Sequence, residues 1–191
     1  MVGVHGGAAG LDRDTHGVYV LVITGAPGSG KSATLEALSD RLHDRDITHA
    51  CIDADALGWA HPALPAAAHL RHLAMLSDLY REARYDLLLV AAAVPAPSAR
   101  DTLIDAVAAD DHFLVRLEAS EYALHRRISE REPAGWSQLG RLLHRATRMH
   151  QAMAALDPDL VVDTERLDPG AAAAAISSAC PRLRGGATEP A

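Results

Sequence analysis

The chain has 191 residues, 49% of them hydrophobic and 23% charged, with a formal charge of −7. That length suits one domain with a real core, and the acidic balance argues against a general nucleic-acid binder, which would carry a basic patch. No apolar run reaches membrane-spanning length and no charged stretch leads into an apolar signal-like segment, so the expected location is cytoplasmic, with no membrane partner.

Residues 1–17 contain Gly, His and Asp without periodicity and are expected to form a flexible leader. Tyr19–Ile23 is a nearly unbroken apolar run, as a strand buried on both faces requires. It leads into Gly25-Ala-Pro-Gly-Ser-Gly-Lys-Ser32. A helix is expected from Ala33 to about Arg45, with Leu35, Leu38 and Leu42 on one face. Thr48–Ile52 reads as the second strand, closed by Asp53-Ala-Asp55; Cys51 lies on it, and with only Cys180 besides, the chain has neither a disulfide framework nor a zinc spacing. Residues 56–65 form a loop containing Trp59, His61, Pro62 and Pro65.

Ala66–Arg84 is expected to be a helix, with Leu70, Leu73, Leu76 and Leu79 or Tyr80 on one side and His69 and His72 on its surface. Asp86–Ala93 is the third strand, and Val94-Pro-Ala-Pro97 forces a loop. Ser98 is expected to cap a helix to about Ala109, followed by a fourth strand over His112–Leu117. Ser120 caps a helix through Arg131, Pro133-Ala-Gly135 breaks it, and Ser137–Leu156 forms another. Leu160–Asp163 is the fifth strand. Asp168 caps the last helix with Pro169 at its first position, and residues 181–191 are expected to be a flexible tail.

Strands alternating with helices predict an α/β domain over residues 18–180, three-layer α/β/α with a five-stranded parallel sheet. Crossovers are then right-handed and ligands sit at the carboxyl ends of the strands. At the first of these ends the sequence matches G-x-x-x-x-G-K-[ST], strand before and helix after, the phosphate loop of nucleoside-triphosphate binders. Gly25, Gly28 and Gly30 let the backbone turn where a Cβ would forbid it. The N–H groups of Ala26, Pro27-flanked Gly28, Ser29, Gly30, Lys31, Ser32 and Ala33 then converge on an anion at the helix N-terminus. Lys31 is the only lysine in a chain otherwise supplied with Arg, and a compact ammonium fits a loop wrapped around a phosphate better than a guanidinium fork. ATP and Mg²⁺ are the expected ligands, with Lys31 on the β- and γ-phosphates and Ser32 on the metal.

Asp53 and Asp55 lie at the end of the second strand, two positions apart and so on one side of an extended segment. One can serve Mg²⁺, for which Asp53 is the expected ligand, and one can accept the proton of an attacking hydroxyl. The third strand ends Ala91-Ala-Ala-Val94 without the acidic residue that many P-loop ATPases carry there, which moves that work to Asp53 and Asp55. A single lysine excludes the Asn/Thr-Lys-x-Asp guanine-reading motif, so GTPase function is not expected. Arg127 and Arg131 share a helix face downstream and can neutralise a transferring phosphoryl group, within a lid over about 120–137. Trp59 and His61 have two readings, an acceptor pocket or a partly buried structural role; Trp136 reads as a packing residue and Arg100 as a surface arginine.

Val20-Leu-Val-Ile-Thr-Gly-Ala-Pro-Gly-Ser-Gly-Lys-Ser32, Cys51-Ile-Asp-Ala-Asp55, Arg126-Arg-Ile-Ser-Glu-Arg-Glu132 and Val161-Val-Asp-Thr164 together resemble the small P-loop kinases, in particular the adenylyl-sulfate-kinase-like and gluconate- or shikimate-kinase-like group. The resemblance runs from about Tyr19 to Cys180. It implies that Lys31 contacts phosphates, that Ser32 holds magnesium, that Asp53 and Asp55 serve magnesium and the acceptor hydroxyl, and that Arg127 and Arg131 cover the phosphates or stack on adenine. The 163–167 loop would lie near the adenine. The expected activity is Mg²⁺-dependent transfer of a phosphoryl group from ATP to a hydroxyl of a small-molecule acceptor. The rival is a nucleotide-binding regulatory protein, or an ATPase, with no such acceptor.

Overall fold

The computed structural model describes residues 17–184. The expected leader, apart from Gly17, and residues 185–191 of the expected tail lie outside the described residues. Five strands, β1 (Tyr19–Thr24), β2 (Ala50–Asp53), β3 (Leu87–Ala91), β4 (Asp111–Glu118) and β5 (Leu160–Asp163), form one parallel sheet in the order β2-β3-β1-β4-β5. β1 is central, and Val20 through Thr24 are each 0% exposed. Its alternation splits the core into two layers, as a period of two dictates. Leu21 and Ile23 pack with Leu35, Leu38 and Leu42 of helix α1 (Lys31–His43) and with Ala172 and Ile176 of α6 (Pro169–Ala179). Val20 and Val22 face the other way, toward Leu73 of α2 (Ala66–Glu82) and Leu103 and Val107 of α3 (Pro97–Val107). The chain is thus the expected α/β/α sandwich.

Two helices complete the carboxyl side of the sheet, α4 (Glu121–Arg131) and α5 (Leu139–Ala152), which pack on each other. The expected caps of α4 and α6 are present: Ser120 Oγ accepts the N–H of Ala123 at 3.2 Å, and Asp168 Oδ1 that of Ala171 at 2.8 Å. Several boundaries differ from expectation for identifiable reasons. α1 begins at Lys31, because the loop glycine Gly30 already supplies the carbonyl that accepts the Thr34 N–H at 2.9 Å. α3 begins at Pro97, whose missing N–H costs nothing at a first helical position; Ser98 is therefore inside the helix and does not cap it. The helix expected over 137–156 tightens into a 3₁₀ turn at Met153–Ala155, which buries Met153 and Leu156. On α2 the apolar stripe uses Leu73, Leu76 and Tyr80, while Leu79 is 60% exposed.

The expected tail does not start at Pro181. Pro181–Arg184 forms a short helix, α7, with Leu183 buried beneath α1 and α6, the Leu183 carbonyl bound by Arg45 at 2.8 Å and Arg182 paired to Asp86 at 2.8 Å. Both cysteines are free thiols: burial pushes Cys51 above its ordinary pKa, and Cys180 Sγ lies 3.6 Å from the Tyr19 hydroxyl, whose own pKa burial raises. Among the described residues no helix is long and apolar enough to cross a membrane.

The sandwich makes a stability prediction. Leu38 is 0% exposed at the contact between α1 and the sheet. Leu38→Ala is expected to lower the unfolding free energy by about 2–5 kcal/mol, read as a fall in the urea midpoint at unchanged slope.

Candidate active site

The site is built where β1 stops. Thr24, the last residue of the strand, is fully buried and its Oγ1 accepts the N–H of Val94 at 3.0 Å, which locks the end of β1 to the segment after β3. The chain then turns tightly, with Ser29 N–H donating to the Ala26 carbonyl at 3.0 Å. Gly25 is required by a close approach: a Cβ there would sit 2.3 Å from Ser29 Oγ and 3.0 Å from the Leu117 carbonyl. Gly28 is required twice, by φ +85° and by the Leu124 carbonyl, 2.8 Å from where a Cβ would be. Gly30, at φ +95°, delivers the chain into α1, whose N-terminus has no side-chain cap and no acidic residue in its first turn. Those N–H groups and the positive end of the helix dipole face the loop, an arrangement suited to a polyphosphate.

Lys31 folds back over this loop and is 9% exposed. Its ammonium donates to the Gly25 carbonyl at 3.1 Å and pairs with Asp55 Oδ2, also at 3.1 Å. The other oxygen of Asp55 accepts the Ala93 N–H at 3.1 Å, so the carboxylate spans from the loop lysine to the end of β3. Ser32 Oγ donates to Asp53 Oδ2 at 2.6 Å. Asp53 Oδ1 is buried and has no hydrogen-bond partner among the described residues. An unpaired buried carboxylate oxygen beside a serine hydroxyl is a pair of hard oxygen donors, the chemistry that magnesium selects, so Ser32 and Asp53 fit that ion. Among the described residues no group of three or more His, Cys, Asp or Glu could hold a metal ion.

The two aspartates reach the loop by a turn and not by the extended segment expected. β2 ends at Asp53, and Asp55 has helical backbone angles (φ −63°, ψ −31°) at the start of a 3₁₀ turn, Ala56–Gly58. A turn, not extended strand, aims Asp55 at Lys31. His69 of α2 holds that turn, its Nε2–H donating to the carbonyl of Ala54 between the two aspartates, with the ring 3.8 Å from where a Cβ on Gly58 would sit. His69 was expected on the helix surface and is instead half-buried at the site. A lone His at the start of a helix carries no sequence signal of that contact.

The expected arginines separate. Arg127 Nη1 donates to the Gly28 carbonyl at 3.3 Å and to Thr164 Oγ1 at 3.1 Å, and Nη2 donates to the Thr164 carbonyl. It ties the phosphate loop to the segment after β5. Arg131 is 62% exposed and pairs with its neighbour Glu132, and Arg126 pairs loosely with Glu130. The inner face of the expected lid's first half is core: Ala123, Leu124 and Ile128 are at most 1% exposed, Ala123 and Leu124 pack with Ala26, and Ile128 lies against Gly28. The outer face of α4 is exposed, with Tyr122 at 76%, as is most of the turn between α4 and α5, and Trp136 in that turn is 39% exposed and not a core packing residue. Trp59 is 88% exposed, and neither it nor the exposed His61 is buried in a structural role. Arg100 is a surface arginine, bound to Asp101.

An open cavity of about 620 Å³ lies between α5 and the segment after β3, its walls including Pro95, Arg141, His144, Arg145, Arg148 and Met149. These basic residues of α5 had no place in the expected site. Their spacing was readable, since Arg141, Arg145 and Arg148 lie four and three positions apart on a helix, but the cavity they line is tertiary.

No family model matches the chain, and no curated protein sequence matches it. Solved structures do. It is similar to an APS kinase of Mycobacterium tuberculosis, CysC, in complex with AMPPNP and APS, at 20% identity over 85% of this chain and 97% of that one, with a TM-score of 0.61. An unliganded sugar kinase from Janibacter sp. HTCC2649 matches at 21% identity over 87% of this chain and 98% of that one, TM-score 0.59. A gluconokinase from Sinorhizobium meliloti 1021 matches at 23% identity over 82% and 91% respectively, TM-score 0.56. With the strand order, the glycine-rich turn and these whole-length matches together, the chain has the fold of the small P-loop kinases.

Proposed function

We propose that the chain is an ATP-dependent phosphotransferase acting on a hydroxyl of a small molecule. The observation that carries this reading is that each functional side chain of the phosphate loop has its own carboxylate from the end of β2: Lys31 with Asp55 and Ser32 with Asp53. β3 ends in alanines, so these two residues are the acidic groups available there. The structural neighbours named as APS kinase, gluconokinase and sugar kinase support the same class of reaction.

In the proposed reaction the loop N–H groups and Lys31 hold the β- and γ-phosphates of ATP in place, and positioning supplies most of the rate. Ser32 and Asp53 would hold Mg²⁺, which when bound with ATP offsets charge on the phosphate oxygens. The acceptor oxygen forms its bond to the γ-phosphorus while the bond to the β–γ bridging oxygen breaks and ADP leaves. Asp55 takes the proton from the acceptor hydroxyl; it is oriented for this by the Ala93 N–H and by Lys31. Arg127 acts as a brace, its guanidinium already committed to Gly28 and Thr164, and holds the loop against α4. The exposed turn after Arg131 is the part of the expected lid free to close and exclude water.

Three outcomes are expected in an assay of ADP release against a panel of small hydroxyl compounds. Lys31→Ala abolishes acceptor-stimulated turnover. Asp55→Asn lowers kcat by roughly 10²–10⁴-fold, the range for losing a general base. Chelating Mg²⁺ with EDTA stops turnover and restoring it in excess recovers the rate. ATP binding with no acceptor raising turnover above the basal rate would overturn the reading in favour of a nucleotide-binding regulator.

A further inference from the structure

We infer that α2 is the interface of a two-fold symmetric homodimer, its outward face packed antiparallel on the same face of a second copy. Nothing in this pairing depends on the phosphotransferase reading.

The apolar pattern is the first reason. α2 turns Leu73 and Ser77 into the core, with Leu76 and Tyr80 beside them. On its outward side Ala68, His72, Met75 and Leu79 recur at spacings of four, three and four, the period of a helix–helix seam. Met75 is 59% and Leu79 60% exposed, one turn apart on that seam. A lone exposed apolar residue is ordinary and needs no partner. Here the seam adjoins the 3₁₀ turn that ends at Trp59, since His72 Nδ1 lies 3.5 Å from the Leu57 carbonyl, and Trp59 is 88% exposed. Three of the six large exposed hydrophobics among the described residues thus belong to α2 and this one turn. Packing them on a second copy removes apolar surface that a monomer leaves in water.

The charge pattern is the second reason, and it selects the occupant. Arg71 and Asp78 are both exposed and lie two turns apart along one flank of the seam. Arg71 has no ion-pair partner among the described residues, and Asp78 is paired only within its own helix, with Arg81 at 2.6 Å. In an antiparallel pair centred between Leu73 and Ala74, Arg71 of each copy faces Asp78 of the other. Met75 then meets His72 of the second copy, and Leu79 meets its Ala68. That centre is also the middle of Ala66–Glu82, so the 17 residues of α2 overlap over their full length, about 25 Å. A partner of one charge sign would set either the arginine or the aspartate against its like. A reversed copy pairs both, and two-fold symmetry makes each pair twice.

The test is sedimentation velocity of the full chain over a micromolar concentration series, in which a monomer–dimer equilibrium is expected. Met75→Glu with Leu79→Glu is expected to weaken association by at least about tenfold, because symmetry places each buried carboxylate in the interface twice. Both residues are exposed, so the far-UV circular dichroism of that variant is expected to match the unaltered protein. Arg71→Glu alone is expected to weaken the dimer, and Arg71→Glu with Asp78→Lys in the same chain to restore it to within about threefold, since the reversed charges again face their opposites. A chain that stays monomeric throughout the series overturns the inference. So does a dimer that survives the substitutions at Met75 and Leu79, or one that Arg71→Glu weakens and the paired reversal does not restore.

Discussion

The turn from β1 into α1 constrains the rest of the carboxyl edge. β1 is buried on both faces in the centre of the sheet, so its end cannot shift without disturbing both core layers. From that fixed point the backbone must reverse and enter a helix within a few residues. It does so only because Gly25 and Gly28 admit Ser29 and the Leu124 carbonyl where side chains would collide, and because Gly28 and Gly30 adopt positive φ. The result is a helix N-terminus whose N–H groups are presented toward one small volume, supported from β1 below and from α4 at the side.

Polar ties then bring each neighbouring loop to that turn. Thr24 holds the segment after β3, Asp55 joins the same segment to Lys31, and Arg127 joins the loop to Thr164 beyond β5. His69 fixes the backbone between the two aspartates from the start of α2. These contacts come from parts of the chain far apart in sequence and meet because a parallel sheet places all its strand ends on one edge. They also give two carboxylates of the same short segment different partners. Asp53 faces the serine hydroxyl with one buried oxygen left over, while Asp55 is braced on both oxygens and remains about two-fifths exposed.

α5 shows how far pattern reading can reach. Its arginines lie on one helix face and no acidic residue accompanies them, and both facts are visible in the sequence. What they face is not. They are exposed, as Arg126 and Arg131 of α4 are, but those two are each paired with a glutamate. Pro95, from the segment after β3, completes the lining of the cavity they edge.

The sequence by itself determined the sheet, the order of its elements, the phosphate loop and the pair of aspartates. Each of these is written in local pattern: apolar runs of strand length, helical spacing of leucines, and glycines where only glycine fits. It also located the caps at Ser120 and Asp168, because a side-chain oxygen bonding an N–H three residues on is a local event. Only the tertiary structure decided which arginine meets the loop, that His69 supports the aspartates, that Leu183 closes the core under α1, and that the basic face of α5 lines a cavity. The physical reason is that side-chain periodicity specifies a direction relative to the element's own axis, whereas contact depends on how two elements pack, and that is settled by the shared core.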